Sequence, residues 1–73
     1  MTDARAANIA NRDDHRRRTL AALRALGRAT AHEIAARAGL PRREVKRRLQ
    51  DLRTMGVARW VREIQVFELE DET

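Results

Sequence analysis

The sequence predicts an α+β domain in which three helices are followed by a β-hairpin. Two observations carry this. Apolar residues recur at helical spacing over residues 14–55, interrupted at Gly27, at Gly39-Leu40-Pro41 and at Gly56. After Gly56 the period changes, and "VARWV" and "IQVFEL" bring β-branched and aromatic residues in near-alternation. With 73 residues the chain makes one small domain with a modest core. It contains no cysteine, so neither a disulfide framework nor a zinc–cysteine site supports it.

The elements follow in order. Residues 1–12 hold one large apolar side chain, Ile9, and read as a flexible N-terminal arm or a frayed helical extension. Asp13 or Asp14 is placed to cap the first helix, "DHRRRTLAALRALG", with Leu20, Leu23 and Leu26 on its apolar side and Gly27 as its stop. Arg16, Arg17 and Arg18 point in different directions and read as a solvated face. Thr30-Ala31-His32-Glu33 has the pattern of a capping box, which starts the second helix at Ala31. Ile34, Ala35 and Ala38 form its buried side, and Gly39 ends it in a left-handed conformation. Pro41 opens the third helix, which is expected to run to about Met55 with Val45, Leu49, Leu52 and Met55 on one face. Arg48 is expected to pack its stem against the body. In the hairpin, Ala58 and Trp60 share one face of the first strand, and Phe67 and Leu69 one face of the second. Arg62-Glu63 is the expected turn. The domain proper is thus expected over residues 13–69, with an acidic tail at 70–73.

The charge is uneven. Sixteen basic residues face eleven acidic ones, for a net +5 and a pI near 11.4. Glu68, Glu70, Asp71 and Glu72 crowd the C-terminus, so the rest is more basic still. Such a body suits a polyanionic partner, above all nucleic acid. No run of about 18 apolar residues suggests a membrane span, and "MTDARAANIANRDD" lacks the apolar stretch of a secretory signal. The expected location is cytoplasmic, at the nucleoid. His32 reads as an exposed first-turn residue. No catalytic constellation, metal set or cofactor motif stands out, and the chain is not expected to be an enzyme.

The segment "ATAHEIAARAGLPRREVKRRLQDLRTMGVAR" resembles the helix-two, turn, recognition-helix and first-wing-strand portion of winged helix-turn-helix regulators of the bacterial and phage type. The Ile-Ala pair, the Gly after it, the Val/Leu-spaced third helix and the returning "FEL" carry the likeness, which spans roughly residues 14–69. It implies that the N-terminal half of helix 41–55 enters the major groove of duplex DNA. Arg42, Arg43, Lys46 and Arg47 would then meet base edges and phosphates, with Gln50 one turn further. Arg59 and Arg62 on the hairpin, residues 57–69, would reach backbone or minor groove as a wing. Thr30 and the backbone N–H groups beside it would hold a phosphate. The function so implied is sequence-specific binding of double-stranded DNA by a small transcriptional regulator, with no small-molecule ligand and a possible homodimer. An alternative is a winged-helix protein-interaction module, in which the acidic tail screens the basic face. "TAHEIAARAGLPRREVKRRL" also resembles Zα domains, which bind Z-form nucleic acid. Those place Asn and Tyr one turn apart on helix three and a Trp on the wing, where this chain has Lys46, Gln50 and Phe67.

Overall fold

The computed structural model describes residues 4–61 and 66–69, with side chains from residue 11 onward. Helix α1 spans Ala4–Leu26, strand β1 Arg28–Ala29, helix α2 Ala31–Ala38, helix α3 Arg42–Thr54, strand β2 Ala58–Val61 and strand β3 Val66–Leu69. This is the expected α+β arrangement of three helices and a hairpin, with one small strand added.

Helix α1 begins well before the expected start. The alanines at 4, 6, 7 and 10 are the best helix formers available, and the helix runs through the segment read as an arm or a frayed helical extension, the second of those two readings. Asp13 and Asp14 therefore lie inside the helix and cap nothing. Asp13 instead lies 3.5 Å from Arg16, and Asp14 lies 3.9 Å from Arg17 and 3.7 Å from Arg18, the i+3 and i+4 spacings at which helix side chains meet. Thr19, Ala22 and Leu23 form the buried side. The Thr19 hydroxyl donates to the His15 carbonyl at 2.7 Å, which satisfies a polar group in the core. Leu26, expected on this stripe, is 39% exposed.

Gly27, at φ 79°, ends α1, and its N–H returns to the Leu23 carbonyl at 2.8 Å. Helix α2 starts with the full capping box. The Glu33 N–H donates to Thr30 Oγ1 at 3.1 Å, and the Thr30 N–H donates to Glu33 Oε1 at 2.9 Å. Gly39 closes α2 at φ 69°. The end of α2 has a second closure that the sequence did not suggest. Arg18 Nη2 donates to the carbonyls of Ala38 and Gly39 at 2.9 and 3.2 Å, so this arginine ties α1 to the turn and is not merely solvated. A cation at the last carbonyls of a helix also complements its dipole.

Val45, Leu49 and Leu52 of α3 pack with Leu23 and Ile34 to form the core, and the alanines at 22, 29, 35 and 58 let the elements approach closely. Met55 was expected on the same stripe. It lies at the helix C-cap and is 57% exposed, because the helix has ended before the stripe returns to the core.

The sheet is antiparallel in the order β1-β3-β2. Ala58 pairs with Leu69, Trp60 with Phe67 and Val61 with Val66, a register for which the sequence reading gave only the face-sharing within each strand. Strand β1 pairs Arg28 with Glu68 and Ala29 with Phe67. The turn expected at Arg62-Glu63 and the acidic tail lie outside the described residues.

Candidate nucleic-acid interface

At about 100° per residue, α3 has three sides. Val45, Leu49 and Leu52 face the core. Glu44, Arg48 and Asp51 face α1. The remaining positions, Arg42, Arg43, Lys46, Arg47, Gln50, Arg53 and Thr54, are all exposed.

The side facing α1 is electrostatically closed. His15 Nδ1 lies 2.9 Å from Glu44 Oε1. Arg48, buried to 8% exposure, reaches Glu44 Oε1 at 3.6 Å. Its Nε lies 3.3 Å from Asp51 Oδ2, without the alignment of a hydrogen bond. Arg16 approaches Asp51 at 3.6 Å from α1. The hydrogen bond from His15, with Arg48 and Arg47 nearby, holds the Glu44 carboxyl below its ordinary pKa against the opposing effect of burial.

The outer side is different. Among the described residues, Arg42, Arg43 and Lys46 form no ion pair. Pro41, the N-cap of α3, supplies no side-chain hydrogen bond, so the first-turn N–H groups of α3 are left open beside Arg42 and Arg43. Positive side chains at the positive end of a helix dipole do not favour the helix itself. They do concentrate positive potential where a phosphate would approach.

The expected contact residues fall into separate places. Thr30, Arg42 and Lys46 line one cleft of about 490 Å³, together with Ala31, His32, Trp60 and Phe67. Gln50 and Arg59 line a neighbouring groove of about 360 Å³ with Arg53, Thr54, Ala58 and Trp60. Arg47 borders a third hollow of about 210 Å³ with Arg12, Glu44 and Arg48, toward α1. Arg43 lies exposed on the outer surface, and Arg62 lies outside the described residues. At the α2 N-terminus the Thr30 hydroxyl oxygen and the Glu33 carboxylate each accept from the other residue's backbone N–H. The Thr30 N–H bond comes first in holding the Glu33 pKa below its ordinary value. A carboxylate at that position opposes a phosphate, so the open helix end is that of α3 and not that of α2.

On the hairpin, Arg59 Nε donates to Glu68 Oε1 at 2.5 Å, and Arg59 Nη2 pairs with the same oxygen. Glu68 Oε2 meets Arg28 Nε at 2.7 Å, so one carboxylate joins β1, β3 and β2. The hydrogen bond from Arg59 leads in holding the Glu68 pKa low. Sequence reasoning passed over His32, Arg53, Trp60 and Phe67 as lining residues. Arg53 was within reach, being two turns beyond Lys46 on the same side. His32 and the aromatic pair gave no local signal, because their placement depends on how the hairpin lies against α2 and α3.

Residues 12–59 match the winged helix-turn-helix DNA-binding family. The chain belongs to that family. The match runs from within α1 through the turn and α3 into β2. In this winged helix, α2, the Gly39 turn and α3 are the helix-turn-helix, β2 and β3 are the wing, and the domain is a DNA-binding one. Neither a curated protein nor a solved structure matches the chain. Among the described residues no helix is long and apolar enough to cross a membrane, and no group of His, Cys, Asp and Glu side chains could hold a metal ion.

Proposed function

We propose that the chain is a small transcriptional regulator that binds duplex DNA sequence-specifically, with α3 in the major groove and the wing on the flanking backbone or minor groove. The observation that carries this reading is the unpaired set Arg42, Arg43 and Lys46 beside the uncapped N-terminus of α3. The cations facing α1, by contrast, have carboxylate partners. Arg43 and Arg47 are the candidates for bidentate contacts to guanine, Gln50 for adenine, and Lys46 and Arg42 for phosphates. Gln50 Oε1 accepts from Arg53 at 3.3 Å, so base contact by Gln50 requires that exposed bond to open. Arg59 would likewise reach DNA while remaining close to Glu68, as a backbone contact, with Arg62 beyond it.

Selection of bound duplexes from a random pool, followed by salt titration of the enriched site, tests the proposal. The expected result is a defined motif and a log–log salt slope of about −0.9 per phosphate neutralised. Inverted repeats in the motif would assign a homodimer. Salt-dependent binding without a motif would remove sequence specificity and leave a shape reader. Failure to bind at low salt would overturn the reading in favour of a protein partner.

A further inference from the structure

Trp60 is not needed where it stands for the core. Along β2, Ala58 points into the core and is 2% exposed, and Trp60 follows it on the same side of the sheet. There the indole is 38% exposed. Its cross-strand partner is Phe67. The two ring centroids are 4.7 Å apart with planes inclined by 53°, a tilted aromatic contact that supports the indole and limits its rotation. Trp60 lines both the cleft of Arg42 and Lys46 and the groove of Gln50 and Arg53. A buttressed aromatic ring therefore borders a concavity whose other wall carries cations with no carboxylate partner among the described residues.

That combination selects for a ligand with one flat π-face and one anionic group. The cleft, at about 490 Å³, lies within the ~300–1,000 Å³ range of small-ligand sites. A nucleotide has both parts, and stacking of bases on aromatic side chains tolerates any base. In a fully paired duplex the base faces are occupied by their neighbours, so a duplex alone does not use this ring. We propose that the cleft between α2, α3 and the wing binds one unpaired nucleotide, its base against Trp60 and its phosphate against Arg42 and Lys46. This deepens the reading of α3 as a DNA-contacting helix and rests on it. The same chemistry could be presented by a free mononucleotide or by an unpaired position within a strand, and the test separates the two.

Trp60 is the only tryptophan and the chain has no tyrosine, so intrinsic fluorescence reports on this ring directly. Titrations with thymidine monophosphate, with oligothymidylate, with a paired duplex and with the same duplex carrying one unpaired thymidine form the experiment. The expected result is saturable quenching by oligothymidylate and at least about 5-fold tighter binding of the bulged duplex than of the paired one, the lower end of measured base–aromatic stacking. That ratio, read by anisotropy of labelled DNA, should fall to near unity in Trp60→Leu and persist in Trp60→Phe, which keeps an aromatic face. Because it is a ratio, a partial loss of folded protein cancels. Quenching by the mononucleotide at concentrations as low as those of the oligonucleotide would assign a free nucleotide as the ligand. A ratio of unity in the wild type, or one unchanged in Trp60→Leu, would overturn the proposal while salt-dependent binding of the paired duplex continued. Loss of all DNA binding at low salt would instead overturn the reading on which it rests.

Discussion

Glu68 shows how much a single side chain decides on the wing. Its carboxylate lies between Arg28 and Arg59 on the two flanking strands, and both arginines are more than half exposed. Because its pKa is depressed in the folded chain, its stabilising contribution is fully present above the ordinary carboxylate range, near 4.3, and is lost as pH falls through the lowered folded value. Glu68→Gln should therefore be less stable than wild type at neutral pH and should show a shallower loss of Tm under acid. Thermal melts between neutral pH and pH ~3 check this, and parallel curves would refute it. The same substitution removes a negative charge beside Arg59, so affinity for any duplex should rise at low salt. On α3 the residue-level contrast is between the proposed base and phosphate contacts. Arg43→Ala should cost about 1–3 kcal/mol on the selected site and little on random DNA. Lys46→Ala should weaken both and reduce the salt slope by about one unit. Equal small losses on every duplex from both changes would sink the base-reading role of Arg43.

At the scale of elements, α2 and its turn are the part most fully written in local sequence. The capping box needs only Thr30 and Glu33, three residues apart, and the turn needs only a residue able to adopt the left-handed conformation of Gly39. Both could be read without knowledge of the rest of the fold. Thr30→Ala should cost about 1 kcal/mol by stripping one bond from the box. Gly39→Ala should cost about 1–2 kcal/mol, because a Cβ is strained at that φ and would also lie 3.3 Å from Arg18 Nη2. Chemical denaturation of the two variants measures this, and a stabilising Gly39→Ala would show that the turn has rearranged. The elements misjudged from sequence fail for the opposite reason. Strand β1 is two residues long and carries no period, and its pairing is supplied by β3 some forty positions away. Arg18 closes α2 from 20 residues upstream. Helix α1 extends upstream of Asp13 and Asp14 because the alanines at 4, 6, 7 and 10 favour helix there. The candidate contact surface divides in the same way. The row of cations on α3 was legible from spacing. The cleft that unites Arg42 and Lys46 with Trp60 exists only once the hairpin is laid against the helices.

For the molecule as a whole, the proposed reading gives the two faces of α3 separable tasks, and this leads to a test with crossed outcomes. The face toward α1 is a mixed network of His15, Arg16, Glu44, Arg48 and Asp51, with Arg48 buried and the other four half-buried. It holds α3 against α1, and on the proposed reading it would fix the angle at which that helix is presented to DNA. Removing Arg48 would leave the Glu44 and Asp51 carboxylates close together with their nearest buried cation gone. Breaking a buried ionic group in this way costs more than the pair itself contributes. Since both carboxylates keep some solvent contact, the loss for Arg48→Ala should be about 1–3 kcal/mol. For a domain of this size that lowers Tm by roughly 4–20 °C. Well below that Tm, where the variant is still folded, its affinity for the selected duplex should stay within about 2-fold of wild type, because Arg48 faces α1 and not the side of Arg42 and Lys46. Lys46→Ala should behave in reverse, with Tm unchanged within about 0.5 kcal/mol and affinity reduced. Paired melts and DNA titrations on the two variants would reveal the pattern. If Arg48→Ala lost affinity while fully folded, the network would be setting the pose of α3 as well as its stability, and the two faces would act as one unit.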